Sequence, residues 1–441
     1  MAMGDQRTQG RAARSLTVGV VVAGALAVLG FVAYWPRGDA PELPPQPNTY
    51  VDATLTGIDT QTCDDFETGS TTSCQVVSAR LTSGPDDGDE IEFQVRSTEF
   101  NVPELQEGDE VVLLDVATSP PEFRYSFSDF QRRMPLLWLV AAFVVVVILF
   151  GRFQGVRALL GLAASGAVLV AFVVPALLRD SPALPVALAG TVAIAFAALY
   201  LAHGLKLGTT VALAGTLVSL AITSLLAVVV VSATHLTGLV GDQTAQVLRV
   251  TAEALDLRGL LVAGIVVGAL GVLDDVTVSQ VSIVAALRRA NPGLSWRLLY
   301  GEAMRVGRDH VASTVNTLVL AYAGASLPLL LFFAQGDQPV DRLLTGELIA
   351  VEIVRMLVGS IGLVASVPIT TGLAALVMGD GDAQRVDDGH GHRQARGRDT
   401  VGRRAPVATQ PPVRPAGAGQ GDEPAAGWDG FSPDPDLWPP R

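Results

Sequence analysis

Two cysteines, one lysine and 6% aromatic residues are what this chain of 441 residues has least of. Two cysteines build neither a multi-bridge scaffold nor a four-thiolate metal site. With Lys206 the sole lysine, Arg supplies the remaining basic charge, and the net charge is −13. Such an acidic chain repels a phosphate backbone, so no nucleic-acid partner is expected. Catalytic signatures are missing too: there is no Gly-x-Ser-x-Gly elbow, no His-Glu-x-x-His and no phosphate-binding loop. An intramembrane aspartyl protease needs two aspartates on different spans, and none matches Asp275. Glu352-x-x-Arg355 lacks the second glutamate and the histidine of a glutamate-type intramembrane protease. The run Asp387-Asp-Gly-His-Gly-His392 has metal-tag composition but no structured surroundings. No enzyme, cofactor or metal centre is expected.

What the chain has instead is apolar length. Hydrophobic residues make up 49%, gathered in runs of about twenty, the length that crosses a bilayer. Residues 1–15 are polar and carry Arg7, Arg11 and Arg14. Leu16–Trp35 follows as an anchor closed by Phe31, Tyr34 and Trp35, an aromatic cap suited to the headgroup layer. A cleaved signal peptide would end in small residues, and Tyr34-Trp35-Pro36 does not. Further spans read Met134–Phe150, Ala158–Leu178, Pro185–Ala202, Thr210–Val231, Leu260–Val284, Val311–Phe333 and Leu348–Val377.

Charge orients these spans. Arg152 and Arg157, then Lys206, then Arg288, Arg289, Arg297, Arg305 and Arg308 fall in alternate loops, and the loops between hold Asp180, Asp242, Glu253, Asp256, Asp337 and Asp341. The cytoplasmic bias of Arg and Lys therefore predicts eight spans in a bacterial plasma membrane with both termini inside. The expected fold class is an α-helical transmembrane bundle with a small extracytoplasmic β domain and a disordered cytoplasmic tail. The boundaries are a 1–15 tail, a 16–35 anchor, a 36–130 outer domain, a 131–378 seven-span bundle and a 379–441 tail.

The outer segment carries 20 acidic against 4 basic residues between Arg37 and Phe130. Strand patterns at 51–57, 76–81, 91–95 and 111–116 suggest a small barrel of the oligonucleotide/oligosaccharide-binding shape. Cys63 and Cys74 bracket a polar loop between the first two strands, and outside the cytoplasm a disulfide is their expected state. The last segment, rich in Gly, Pro, Ala and Arg, has no periodicity.

Polar residues within the spans carry the functional reading, because a charge at mid-membrane costs ~2.5–3.5 kcal/mol on insertion scales. Gly264, Gly268, Gly271, Asp275, Ser279 and Ser282 recur at steps of three and four and so share one helix face. Asp274 is rotated about 100° from that face. Glu352 and Arg355, spaced for an ion pair within one helix, precede Gly359 and Gly362. Asp275, Ser279, Asn316, Thr317, Glu352 and Arg355 are the pathway candidates. Gly264, Gly268, Gly271, Gly359 and Gly362 are the packing glycines. The bland alternative is that these groups only glue helices together. His310, beside Arg308 and Asp309, reads as a loop contact.

The carboxy-terminal half also resembles a known family. Gly259–Gly271 followed by Asp275, Asn291-Pro292, Gly307-Arg-Asp309, Asn316–Tyr322, Leu327–Leu331 and Glu347…Glu352-Ile-Val-Arg355…Gly359–Gly362 with Pro368-Ile-Thr370 occur in order. Arg132, Gly151 and Gly155 fit as well. Over about 125–378 these stretches resemble the YibE/F-like family of bacterial membrane proteins. The resemblance implies a permease-like architecture and supplies no mechanism. Two functions are therefore expected of different kinds. The first is movement of an unidentified small solute or ion across the lipid bilayer. The second is envelope assembly, with the outer domain binding an envelope protein partner and the bundle serving as anchor.

Overall fold

The computed structural model describes residues 2–38, 48–64, 71–96, 104–120, 123–179, 181–238, 256–334 and 339–378. The tail expected to be disordered, including Asp387–His392, and the side chain of Cys63 lie outside the described residues.

Helix α1 (Ala2–Ala33) leads to an antiparallel sheet of β1 (Asn48–Asp64), β2 (Thr71–Leu81), β3 (Glu90–Arg96), β4 (Glu110–Val116) and β5 (Tyr125–Phe130). The strand order is β3-β2-β1-β4-β5. Alternate residues face one core, as a period of two requires: Val51, Ala53 and Leu55 meet Val77, Ala79, Leu81, Phe93, Val95, Val111 and Leu113. The expected barrel is not closed. β3 and β5 are its two edges with no ladder between them among the described residues. β5, a strand that the pattern reading missed, stops after six residues because the chain turns at once into a helix.

That turn is stitched down. The Gln131 amide donates to the Glu110 carbonyl at 2.8 Å, and its side chain donates to Asp52 at 2.8 Å. Arg132 pairs with Asp129 at 2.6 Å, which holds the Asp129 carboxyl below its ordinary range. Nearby, Arg124 grips the buried Asp115 with two hydrogen bonds, 2.8 and 3.0 Å, and reaches Asp86 at 2.7 Å. The bond to Asp115 raises the Arg124 pKa, so the guanidinium stays charged.

The helices follow: α2 (Arg133–Val168), a π segment (Leu169–Val173), α3 (Val174–Leu177), α4 (Ala183–His203) and α5 (Leu207–Ala233). After these come α6 (Leu257–Ala290), α7 (Trp296–Ala325), α8 (Leu327–Ala334), α9 (Val340–Thr345) and α10 (Glu347–Val377). Among the described residues, six stretches are long and apolar enough to cross a membrane: Ala12–Ala33, Arg133–Leu177, Ala183–His203, Leu207–Ala233, Leu257–Ala290 and Glu347–Val377.

This tally by length and composition differs from the expected eight spans at two places. Two expected spans lie in the single stretch Arg133–Leu177, interrupted at Arg152 (φ 51°, ψ −132°). There the chain bends so sharply that a Cβ on Gly155 would strike the Val147 carbonyl. In a straight helix those residues are ~12 Å apart along the axis. The expected Val311–Phe333 span is broken at Ser326 between α7 and α8. Its apolar part between His310 and the break rises only about 22 Å at 1.5 Å per residue, short of the ~30 Å core of a bilayer.

Helix ends follow local chemistry. Asp256 accepts a hydrogen bond from the Gly259 amide at 2.9 Å and caps α6, and Arg288 and Arg289 complement the dipole of its last turn. The centre of the bundle is α5, α6 and α10, whose shared core includes Leu220, Ala227, Ile265, Leu273, Val351 and Val358.

Candidate functional site

Small residues let these three helices approach closely, and hydroxyls fill the space between them. On α5, Thr216, Ser219 and Thr223 are fully buried; on α6, Thr277 and Gln280; on α10, Ser366, Thr370 and Thr371. Gly215 lies against the Thr370 side chain and Gly362 against that of Thr223, so each of α5 and α10 gives one glycine and receives one threonine. Gly307 of α7 lies against Gln280 and Val367. This is the close packing that small residues permit between membrane helices.

The polar groups form a connected seam. The Thr216 and Thr277 hydroxyls are 2.8 Å apart, and Thr277 donates to the Asp274 carbonyl at 3.1 Å. The Thr216 side chain also faces the Asp274 carboxyl. One turn further along α6, the Gln280 Oε1 accepts from the Thr371 hydroxyl at 3.0 Å. Five other atoms in or beside this seam are buried with no hydrogen-bond partner among the described residues: Asp274 Oδ1, Ser219 Oγ, Gln280 Nε2, Ser360 Oγ and Thr370 Oγ1. No salt bridge to Asp274 occurs among the described residues. The seam therefore offers a carboxyl, an amide and several hydroxyls to a small polar species.

The expected pathway residues lie outside this seam. The stripe Gly264, Gly268, Gly271 and Asp275 does share a face of α6, but it is the exposed face. Among the described residues, nothing lies within 4 Å of a Cβ built on Gly264 or Gly271, and only the Tyr322 hydroxyl approaches Gly268. Asp275 points outward, while its neighbour Asp274, set aside on rotation, faces the interior seam. Ser279 is half-buried; Asn316 and Thr317 are exposed, with Thr317 donating to the Ser313 carbonyl at 3.0 Å. Glu352 and Arg355 are a half-buried pair at 2.6 Å. Of the packing glycines, Gly362 makes a close contact, and Gly359 lies only at van der Waals distance from Leu318.

Thr216, Thr223, Thr277, Gln280, Thr370 and Thr371 were not anticipated. A signal existed: Thr209, Thr216, Ser219 and Thr223 recur at steps of seven, three and four along an otherwise apolar α5.

Neither a curated protein nor a solved structure matches the chain. The description of a YibE/F-like protein matches residues 139–380, a stretch holding α4–α10 and every residue of the seam. With more than half of its length matched, this chain belongs to the YibE/F-like family.

Proposed function

We propose that this is a transporter-like membrane protein moving a small solute or ion along the α5–α6–α10 seam, with the Asp274 carboxyl as its binding or coupling group. The observation that carries this reading is the Asp274 carboxyl itself, turned into the bundle with one oxygen unpartnered among the described residues. Helix glue satisfies its polar groups pairwise. A carboxyl left half-satisfied costs stability and returns none in packing, which favours a group kept for a passing cation or proton. We assign the end of the bundle bearing Arg152, Arg157, Lys206, Arg288 and Arg289 to the cytoplasm, by their charge. The sheet then lies outside, stapled by a Cys63–Cys74 disulfide.

Flux measurements in proteoliposomes test the reading, with a panel of ions and small solutes applied to wild type, Asp274→Asn and Asp275→Asn. Asn keeps the shape and one acceptor but carries no charge. The expected result is flux in wild type and Asp275→Asn and none in Asp274→Asn, all three accumulating in the membrane alike. Wild-type flux in Asp274→Asn would sink the proposal.

A further inference from the structure

Below the seam, on the end of the bundle rich in Arg, lies a cavity of about 1090 Å³. Its walls come from the bend of α2, the end of α4, the start of α5 and the last turns of α6. Arg152, Arg157, His203, Lys206, Arg288 and Arg289 line it, and among the described residues no Asp or Glu does. A topological bias of positive charge explains cations at this end of the bundle. It does not explain five permanent cations converging on one concave wall.

The individual roles differ. Arg157 donates its Nε to the Leu201 carbonyl at 2.8 Å and so ties α2 to the end of α4. Arg288 is buried, and its Nη1 holds the Pro292 and Leu294 carbonyls at 2.9 and 2.7 Å. Both fix the walls while adding charge. Arg152, Lys206 and Arg289 are exposed, and no carboxylate pairs with them among the described residues.

A second feature points the same way. The cavity is also lined by Leu207, Gly208 and Thr209, the first residues of the 27-residue helix α5. The first intrahelical bond runs from the Thr210 amide to the Lys206 carbonyl, so the amides before it have no partner within the helix. Lys206 at the cap position provides no side-chain cap. Helix amides and the positive end of the dipole therefore meet the same space as the guanidinium groups, an arrangement suited to a phosphate.

From this convergence we infer that the cavity is a binding site for a phosphate-type anion, a phospholipid headgroup or a soluble phosphate. The inference goes beyond the transport reading and does not depend on it. A site at this depth is open to both sources, because Phe153 and Val278 add apolar wall beside the charges.

The test uses the full chain in two kinds of nanodisc. In phosphatidylcholine discs, inorganic pyrophosphate is titrated by calorimetry. In discs containing phosphatidylglycerol, lipid retained after detergent extraction is counted by native mass spectrometry. The variant is Arg152→Gln/Lys206→Gln/Arg289→Gln, with Arg289→Gln alone as a milder form. Arg308→Gln, outside the cavity, controls for general charge. Saturable pyrophosphate binding in wild type, weakened about tenfold or more by the triple variant and unchanged by the control, identifies a soluble-anion site. Retained phosphatidylglycerol lost in the same variants identifies a headgroup site. Neither ligand bound by wild type, or equal losses in the control and the cavity variants, overturns the inference. Should the triple variant fail to accumulate, Arg289→Gln decides: wild-type binding of both ligands by that variant counts against the site.

Discussion

Gly215 on α5 is packed so closely against Thr370 on α10 that a single added methyl group would overlap the threonine side chain. Gly215→Ala should therefore destabilise the bundle by roughly 1–3 kcal/mol through overpacking. The double variant Gly215→Ala/Thr370→Ala should regain most of the loss. Gly264→Ala, facing open space, should be neutral or gain up to about 1 kcal/mol of helix propensity. Thermal melting in detergent checks all three.

The outer domain has its own vulnerable point in Arg124. Removing it strands the buried Asp115 carboxyl, whereas removing Arg80 breaks only an exposed pair with Glu90. Arg124→Met should lower the denaturation midpoint of the sheet clearly, and Arg80→Met should leave it nearly unchanged. A similar loss in both would show that Asp115 does not need its partner.

Tyr125 gives a pH dependence. Burial, and then the hydrogen bond donated to Asp86 at 2.9 Å, push its phenol up to about 12. The ordinary value is near 10. A raised folded-state value favours the neutral form, so its contribution to stability is complete below about pH 10 and is lost as pH rises through about 12. The ultraviolet difference titration of wild type against Tyr125→Phe should show one phenol ionising near pH 12.

Cys63 and Cys74 test the assignment of the sheet to an oxidising compartment. In the β1–β2 ladder Cys74 is opposite Gln61, and Cys63 is opposite Thr72, two positions along the register. Thiol counting on denatured, unreduced protein should find none free, and reduction should cost about 3 kcal/mol of sheet stability for so short a loop. Two free thiols would remove the staple.

Ser295, at the cap of α7 on the Arg-rich end, reports sidedness. A cysteine placed there in a Cys63→Ser/Cys74→Ser background should resist an impermeant thiol reagent in intact cells and react after lysis. Labelling from outside would invert the proposed orientation.

Much of the architecture was legible because bilayers enforce length: the runs at Leu16–Trp35, Pro185–Ala202 and Thr210–Val231 became helices with ends within a turn or so of those expected, save the earlier start of α1. Which face of α6 turns inward was not legible. Periodicity groups Gly264 with Asp275 and separates Asp274 from both, but lipid is as apolar as leucine, so composition does not mark the inner face of a membrane helix. The inner face is set by what α5 and α10 present, and Thr216 and Thr370 are distant in sequence. The bend at Arg152 was hidden for a different reason: a residue with positive φ carries no signature when it is not glycine.

The joint between sheet and bundle carries a mechanical consequence. Only Gln131 and Arg132 separate β5 from α2, and both are fastened to the strands. From there α2 runs unbroken for about 27 Å to Arg152, in the wall of the basic cavity. A tether with slack would let the two ends move independently. This one has little, so a tilt of the first part of α2 would be passed to β5 rather than taken up between them.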